Sequence, residues 1–371
     1  MALLMFEGFE GMGTTEGQAN KANITEQVRK KFSVYVGDNN DDARPYLRPG
    51  EDSVGKSLAF QNIATTAQTN ISWALPSDYV SETLVVGFRI KTPDHITTGS
   101  LNLFSVYADN TGNSDRQLEL YIDFSDSNKL KLRRQATFLA ESSANAIVND
   151  TWQYIEFKFN VDDTTGLYEV RIDDTSEMSA SGTDTRALSG IRGVNVLRWW
   201  GMDGQNNDQQ SDEMLIDDIY VLDTTGTVNT SFLGSSTGVK ALYPDAEGTT
   251  IDFTPSTGTD NSANVDDNPP GDTDYNDGGT NGDIDEYSVD SLTETVVYGV
   301  SVQTHVKPDV LGRQRTFRHR VRSGVTVGNG SDIPITDDSV RETIFETDPN
   351  TSAQWTNTNL NNAEFGVEVR D

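Results

Sequence analysis

Between residues 151 and 173 the chain reads TWQYIEFKFNVDDTTGLYEVRID, two alternating runs joined by a turn of Asp, Thr and Gly. Gln153, Ile155, Phe157 and Phe159 share one parity; Trp152, Tyr154, Glu156, Lys158 and Asn160 share the other. Successive side chains of a strand point to opposite faces. The pattern therefore predicts a hairpin whose first, more apolar set faces a core. Short runs of the same kind recur at 2–9, 32–36, 57–61, 83–91, 101–107, 117–124, 129–134, 194–200 and 214–222, separated by turn residues. Helical spacing is scarce. About a dozen strands before residue 225 predict an all-β chain that opens with a two-sheet sandwich.

The pattern changes after Val221. No Lys or Arg occurs from Ala241 to Val306, and DNPPGDTDYNDGGTNGDIDEY is dense in Asp, Asn, Gly and Pro. Such a stretch has little apolar surface to bury, so an irregular acidic connector is expected over 226–290, anchored by Tyr275, Ile284 and Tyr287. Alternation returns in ETVVYGVSVQTHV, RTFRHRVRSGVTV and EFGVEVR. A small C-terminal β domain is therefore expected over 291–371, with the sandwich over 1–225. A chain of 371 residues is long enough for two domains.

Composition narrows the chemistry. The formal charge of -30 argues against a nucleic-acid partner, which needs a basic face. With no Cys there is neither a disulfide framework nor a thiolate metal site. The first residues, MALLMFEGFE, lack the basic region of a signal peptide. No run approaches the length of a membrane span.

Candidate sites follow from the polar residues inside strand patterns. Asp217 and Asp218 are adjacent in MLIDDIYVL, and alternation places them on opposite faces. A glycosidase pair flanks one bond at about 5–9.5 Å, which adjacent strand residues do not achieve. Asp283, Asp285 and Tyr287 alternate suggestively but fall in the acidic stretch. His95, His305 and His319 are scattered, without a triad motif, and no phosphate-cradling glycine loop occurs. Oxygen-only coordination suits calcium, with Asp217, Asp218 and Asp223 as ligands and Asp173 and Asp174 nearby if strand edges meet. The competing reading, preferred here, is structural: one Asp of the pair accepts N–H bonds from the opening strand, the other faces outward, and no cofactor is required.

Trp199, Trp200, Tyr220 and Trp355 are candidate sugar platforms, although core packing is the commoner fate of an aromatic ring. Because Trp199 and Trp200 are adjacent, one ring is expected in the core and one on the opposite face. Arg318, Arg320 and Arg322 share a strand face opposite Phe317, His319 and Val321. They are expected to pair with acidic neighbours such as Glu342, Glu346 or Glu364, or to make subunit contacts together with Trp355.

The opening LLMFEGFE, the 151–173 hairpin and the closing LIDDIYVLD together resemble the concanavalin A-like lectin/glucanase (laminin-G-like) jelly roll, over about residues 1–223. The order that follows, NTSFLG, VKALYPDAEG, the acidic stretch, VYGVSVQTHVKPD and DPNTSAQWTNTNLNNAEFGVEV, is similar to laminin-G-like virion proteins of tailed bacteriophages. The resemblance implies a non-enzymatic virion component, at a tail tip or fibre or as capsid decoration. Such a protein is made in the host cytoplasm, contacts other virion proteins and is a homo-oligomer, with a trimer expected. A host-glycan adhesin and a polysaccharide depolymerase remain the alternatives.

Overall fold

The computed structural model describes residues 2–36, 44–51, 55–61, 68–80, 82–94, 96–108, 115–187, 193–202, 212–271, 273–308 and 315–371. It divides into two compact units, one of Met5–Thr225 with Thr230–Val239, the other of Met1–Leu4, Gly226–Asn229 and Lys240–Asp371. Among the described residues no helix is long and apolar enough to cross a membrane.

The first unit is an all-β jelly-roll sandwich. Its strands are β1 (Leu3–Glu7), β2 (Ser33–Tyr35), β3 (Tyr46–Pro49), β4 (Lys56–Gln61), β5 (Asn70–Tyr79), β6 (Leu84–Lys91), β7 (Ser100–Tyr107) and β8 (Arg116–Asp123). There follow β9 (Lys129–Arg134), β10 (Thr137–Glu141), β11 (Trp152–Asn160), β12 (Gly166–Ile172), β13 (Thr175–Thr183), β14 (Val194–Trp200) and β15 (Glu213–Leu222). One sheet runs β13-β12-β11-β6-β15-β4-β3, with β1 also on β15; the other runs β10-β9-β8-β7-β14-β5-β2.

Period-two alternation works as expected. In the β11–β12 hairpin Ile155 pairs with Ile172, Phe157 with Val170 and Phe159 with Tyr168, and Ile155, Phe157 and Phe159 are buried. The inner faces meet through aromatic rings. Phe104 lies 5.7 Å from Phe88, 6.2 Å from Phe157 and 5.3 Å from Trp199, centroid to centroid. Offset and edge-on packing of this kind suits the ring quadrupoles. One element was not expected: α1 (Lys21–Arg29), which buries Ile24 and Val28, four residues apart on one helical face.

The second unit corrects the reading of the acidic stretch. Residues 240–290 are part of this unit and supply β16 (Pro244–Ile251), β17 (Thr254–Pro255), β18 (Asn276–Asp277) and β19 (Ile284–Val289). The remaining strands are β20 (Val300–Val306), β21 (Arg315–Ser323), β22 (Thr326–Asn329), β23 (Ile333–Ile335), β24 (Ser339–Phe345) and β25 (Glu364–Val369). A sheet of order β16-β19-β25-β21-β22 forms, with β23 on β21, and β20 pairs with β24.

Polar side chains, rather than apolar burial, organise the segment that looked irregular. The fully buried Asp285 accepts the N–H groups of Asp252 (3.0 Å) and Phe253 (2.9 Å), the Asn261 amide (2.8 Å) and the Tyr287 hydroxyl (2.6 Å). A carboxylate so satisfied can be buried without an unmet partner. Tyr287 is an anchor as expected, but Tyr275 is 58% exposed. The small core holds Val297, Val321, Trp355, Leu360, Ala363 and Phe365.

Candidate functional site

The outward face of the seven-stranded sheet carries one polar row across five strands. Strand register aligns Ser72 (β5) with Arg198 (β14), Arg198 with Ser105 (β7), Ser105 with Glu119 (β8), and Glu119 with Arg133 (β9). Rings flank the row. The Arg198 guanidinium lies 4.3 Å from the Tyr107 centroid and 5.1 Å from that of Trp200, and its Nε donates to Ser72 Oγ at 2.9 Å. Trp200 Nε1 donates to Ser105 Oγ at 2.8 Å. Arg133 sits 4.7 Å over the Tyr121 ring. Glu119, fully buried, accepts from both Arg116 and Arg133.

Among the described residues, three buried polar atoms in this patch have no hydrogen-bond partner: the Tyr107 hydroxyl, Arg116 Nε and the Gln117 amide nitrogen. The other end of Gln117 accepts the Ala187 N–H at 2.8 Å. Burial raises the Tyr107 phenol, against the opposing pull of Arg198 and Arg116, so it stays a neutral donor. Orphaned buried donors are costly, and Tyr107 and Gln117 are fully buried. The row thus sets the part-exposed Arg198 and Arg133 over rings and hydroxyls that are themselves mostly buried, Tyr107 and Trp200 packing with Val196.

The outward face of the eight-stranded sheet holds the Asp217–Asp218 pair. Asp217 registers with Arg89 and Tyr220 with Gly87, so the closing strand contains one extra residue and Asp218 adopts φ 49°. This β-bulge breaks the alternation. The expectation that one Asp faces outward into solvent is thereby corrected: Asp217 is buried and Asp218 is half-buried, its carboxylate held by Arg89 and Val239. Asp217 accepts the Asp218 N–H at 2.8 Å, and Asp218 accepts from Val239 N (2.8 Å) and Arg89 Nε (3.1 Å). The opening strand is not their donor. Burial, then the neighbouring Asp218 charge, raises the Asp217 carboxyl; Asp218 is also raised by burial, and burial pushes Glu10 up to about 7.

A carboxyl raised on folding contributes stability in acid that is lost as pH rises through its folded pKa. The sandwich is therefore expected to weaken between about pH 5 and about pH 8, and Asp217→Asn to flatten that slope by about 1 kcal/mol or more. Peptide-resolved hydrogen exchange across this range tests it; an unchanged slope in Asp217→Asn sinks the assignment.

The calcium reading is corrected by the same geometry. Asp217 and Asp218 are engaged as above, Asp223 accepts from its own Thr225, Asp173 from Tyr154 N and Asp174 from Ser235. Among the described residues no three metal-ligating side chains converge.

Of the proposed sugar platforms, Trp199 and Tyr220 are corrected. Trp199 is fully buried between the sheets, and Tyr220 is buried, donating to Glu156 and stacked near Tyr154. Trp200 is on the outward side of its strand but is only 8% exposed, packed with Tyr107 and Val196. Of the assembly residues, Trp355 is corrected, being in the core of the second unit and donating to Phe345 O, while the arginines make the expected pairs with acidic neighbours. Arg318 bonds Glu368, Arg320 bonds Glu286 and Glu368, and Arg322 bonds Glu286 and Glu364. His319 is buried between Thr343 and Thr304, and burial pushes it down to about 4. His305 faces Asp338, and His95 lies outside the described residues. Asp285 is the structural knot of β19.

Tyr107, Arg198, Glu119 and Arg133 escaped the sequence reading. Their only signal was parity, Arg198 with Trp200 and Glu119 with Tyr121, because sequence does not say which strands are neighbours. A cleft of about 370 Å³ on the other sheet is lined by Arg48, Lys91, Trp152, Glu213 and Leu215. Its charged groups include the Arg48–Glu213 ion pair.

No family model matches the chain, and no curated protein sequence does. Solved structures similar to it include the alginate lyase Aly36B, at 11% identity and TM-score 0.41 over 59% of this chain and 97% of that one. A carbohydrate esterase, vb_24B_21 of the Shiga toxin-encoding bacteriophage phi24B, is similar at 12% identity and TM-score 0.39, over 59% and 97%. The carbohydrate recognition domain of Emp46p is similar at 10% identity and TM-score 0.36, over 60% and 96%. The structures matched are mostly of carbohydrate-processing enzymes. The expectation of a non-enzymatic protein is accordingly withdrawn.

Proposed function

We propose that the sandwich engages saccharide on the outward face of its seven-stranded sheet. The observation that carries this is the Trp200–Arg198–Tyr107 stack, bonded into a row of hydroxyl and charged groups across the sheet. Aligned polar groups can meet a sugar's hydroxyls, and the buried Tyr107 and Trp200 rings hold Arg198 in place among them. The segment order beyond residue 225, which resembles tailed-phage virion proteins, supports a place on a virion, where this face would meet host-surface glycan. A depolymerase is the second reading, favoured by the orphaned Tyr107 hydroxyl and Gln117 amide beside Arg116 and Glu119.

Affinity electrophoresis through gels containing soluble polysaccharides tests the first reading. Retardation is expected in at least one gel, and Trp200→Ala is expected to weaken it about tenfold, equivalent to about 1.4 kcal/mol. Retardation equal in wild type and Trp200→Ala would remove the site. Incubation with the retarding polysaccharide, followed by reducing-end and ultraviolet assays, tests the second; new chain ends lost in Tyr107→Phe would support chemistry at this face.

A further inference from the structure

We propose that the cleft on the outward side of the eight-stranded sheet is a binding site for a neutral saccharide, taken as a short piece or a chain end. It is separate from the row on the seven-stranded sheet and does not depend on that row. Three strands build its floor. Register aligns Trp152 (β11) with Lys91 (β6) and Lys91 with Leu215 (β15), about 10 Å from the first strand to the third. All three side chains are half-buried, so Trp152 reaches solvent where Trp199 and Trp200 do not. Arg48 and Pro49, from β3, form the opposite wall.

The charges of the cleft come as pairs. Arg48 donates to the Glu213 carboxylate through Nε at 2.6 Å and through Nη2, and the Tyr46 hydroxyl donates to the same carboxylate. Lys91 Nζ lies 2.8 Å from Asp150. An adjoining hollow of about 260 Å³, which shares Lys91, Glu213 and Leu215 with the cleft, adds Asp94 and Asp212. An anionic ligand would therefore have to displace Glu213 or Asp150 and meet the acids beside them. A cationic one would meet Arg48 and Lys91. A peptide strand is disfavoured for another reason: β6, β11 and β15 each have a strand on both sides, so the floor offers no open backbone edge.

A neutral sugar fits what remains. Its C–H face packs on an indole, and its hydroxyls, which both donate and accept, meet a guanidinium–carboxylate pair without opposing charge. Because each pair is already held together, little side-chain freedom is lost on binding. The volume of about 370 Å³ is near the small end of the range of about 300–1,000 Å³ for small-molecule sites, which suits a short saccharide rather than the length of a polymer.

Saturation-transfer NMR on the full chain tests this with cellobiose, maltose, lactose and N,N′-diacetylchitobiose, and with digalacturonate and the glucosamine dimer as charged counterparts. Transfer to the ring protons of at least one neutral disaccharide is expected, with Kd raised about tenfold or more in Trp152→Ala. Lys91→Met, which keeps the apolar stem and removes the donors, should raise Kd at least about threefold. No transfer to any neutral disaccharide overturns the site. Transfer that persists unchanged in both variants overturns it too, and leaves the gel retardation of Trp200→Ala to decide the seven-stranded sheet on its own. Equal or tighter binding of either charged dimer overturns the neutral assignment. Should Trp152→Ala fail to fold by thermal unfolding, Lys91→Met decides, because Lys91 is half-buried and its partner Asp150 is exposed.

Discussion

In Glu286→Ala the C-terminal unit is expected to lose about 3–5 kcal/mol while the sandwich keeps its protection. Glu286 is fully buried and binds two guanidiniums, Arg320 Nε at 2.8 Å and Arg322 Nη2 at 2.8 Å. Arg320 is itself only 7% exposed, and its second carboxylate, Glu368, is already bonded to Arg318. Removing one member leaves a buried charge without compensation, which costs far more than the net worth of the intact pair. Glu286→Gln, which keeps one acceptor but no charge, should cost less. Peptide-resolved hydrogen exchange reads the units separately: protection lost in β19, β21 and β25 but kept in β6 and β11 is the expected result. Exchange unchanged in β21 would show that the arginines are solvated rather than held by Glu286.

Trp199→Ala is expected to cost the sandwich about 3–5 kcal/mol, the range for emptying a large aromatic site. Its ring meets Phe32 and Phe88 edge-on at 6.3 and 6.4 Å and Phe104 at 5.3 Å, so the cavity opens where the two sheets meet. Its Nε1 is buried without an acceptor. Trp199→Phe should therefore lose volume without losing a hydrogen bond, at less than half the cost of Trp199→Ala. The adjacent Trp200→Ala should also cost stability, because Trp200 is buried against Tyr107 and Val196 and donates to Ser105. Urea denaturation of the three variants tests the ordering, and a Trp199→Phe chain as unstable as Trp199→Ala would show an acceptor for the indole N–H.

Much of the sandwich was legible because strand alternation is a local property. The parity of 151–173 predicted the hairpin and which of its faces is inward, and adjacency alone placed Trp199 and Trp200 on opposite faces. Locality also explains the failures. The Asp217–Asp218 pair breaks alternation through a bulge that is recognised only against the register of β6. The acidic stretch looked irregular because its order comes from Asp285 and the Asn261 amide meeting partners distant in the chain, not from apolar periodicity.

The sequence by itself determined the class of fold, the location of most sandwich strands and the absence of thiol chemistry, since each depends on residue type or on neighbours two positions away. Tertiary structure alone decided that Ser72, Arg198, Ser105, Glu119 and Arg133 form one row. They come from five strands whose neighbours in the sheet are not their neighbours in the chain, as β14 between β5 and β7 shows. It likewise decided that Arg320 would be engaged by Glu286 inside its own unit rather than at a surface. Hydrophobic spacing records which face a side chain takes; the pairing of distant strands, set by the packing of the whole sheet, determines what that side chain meets.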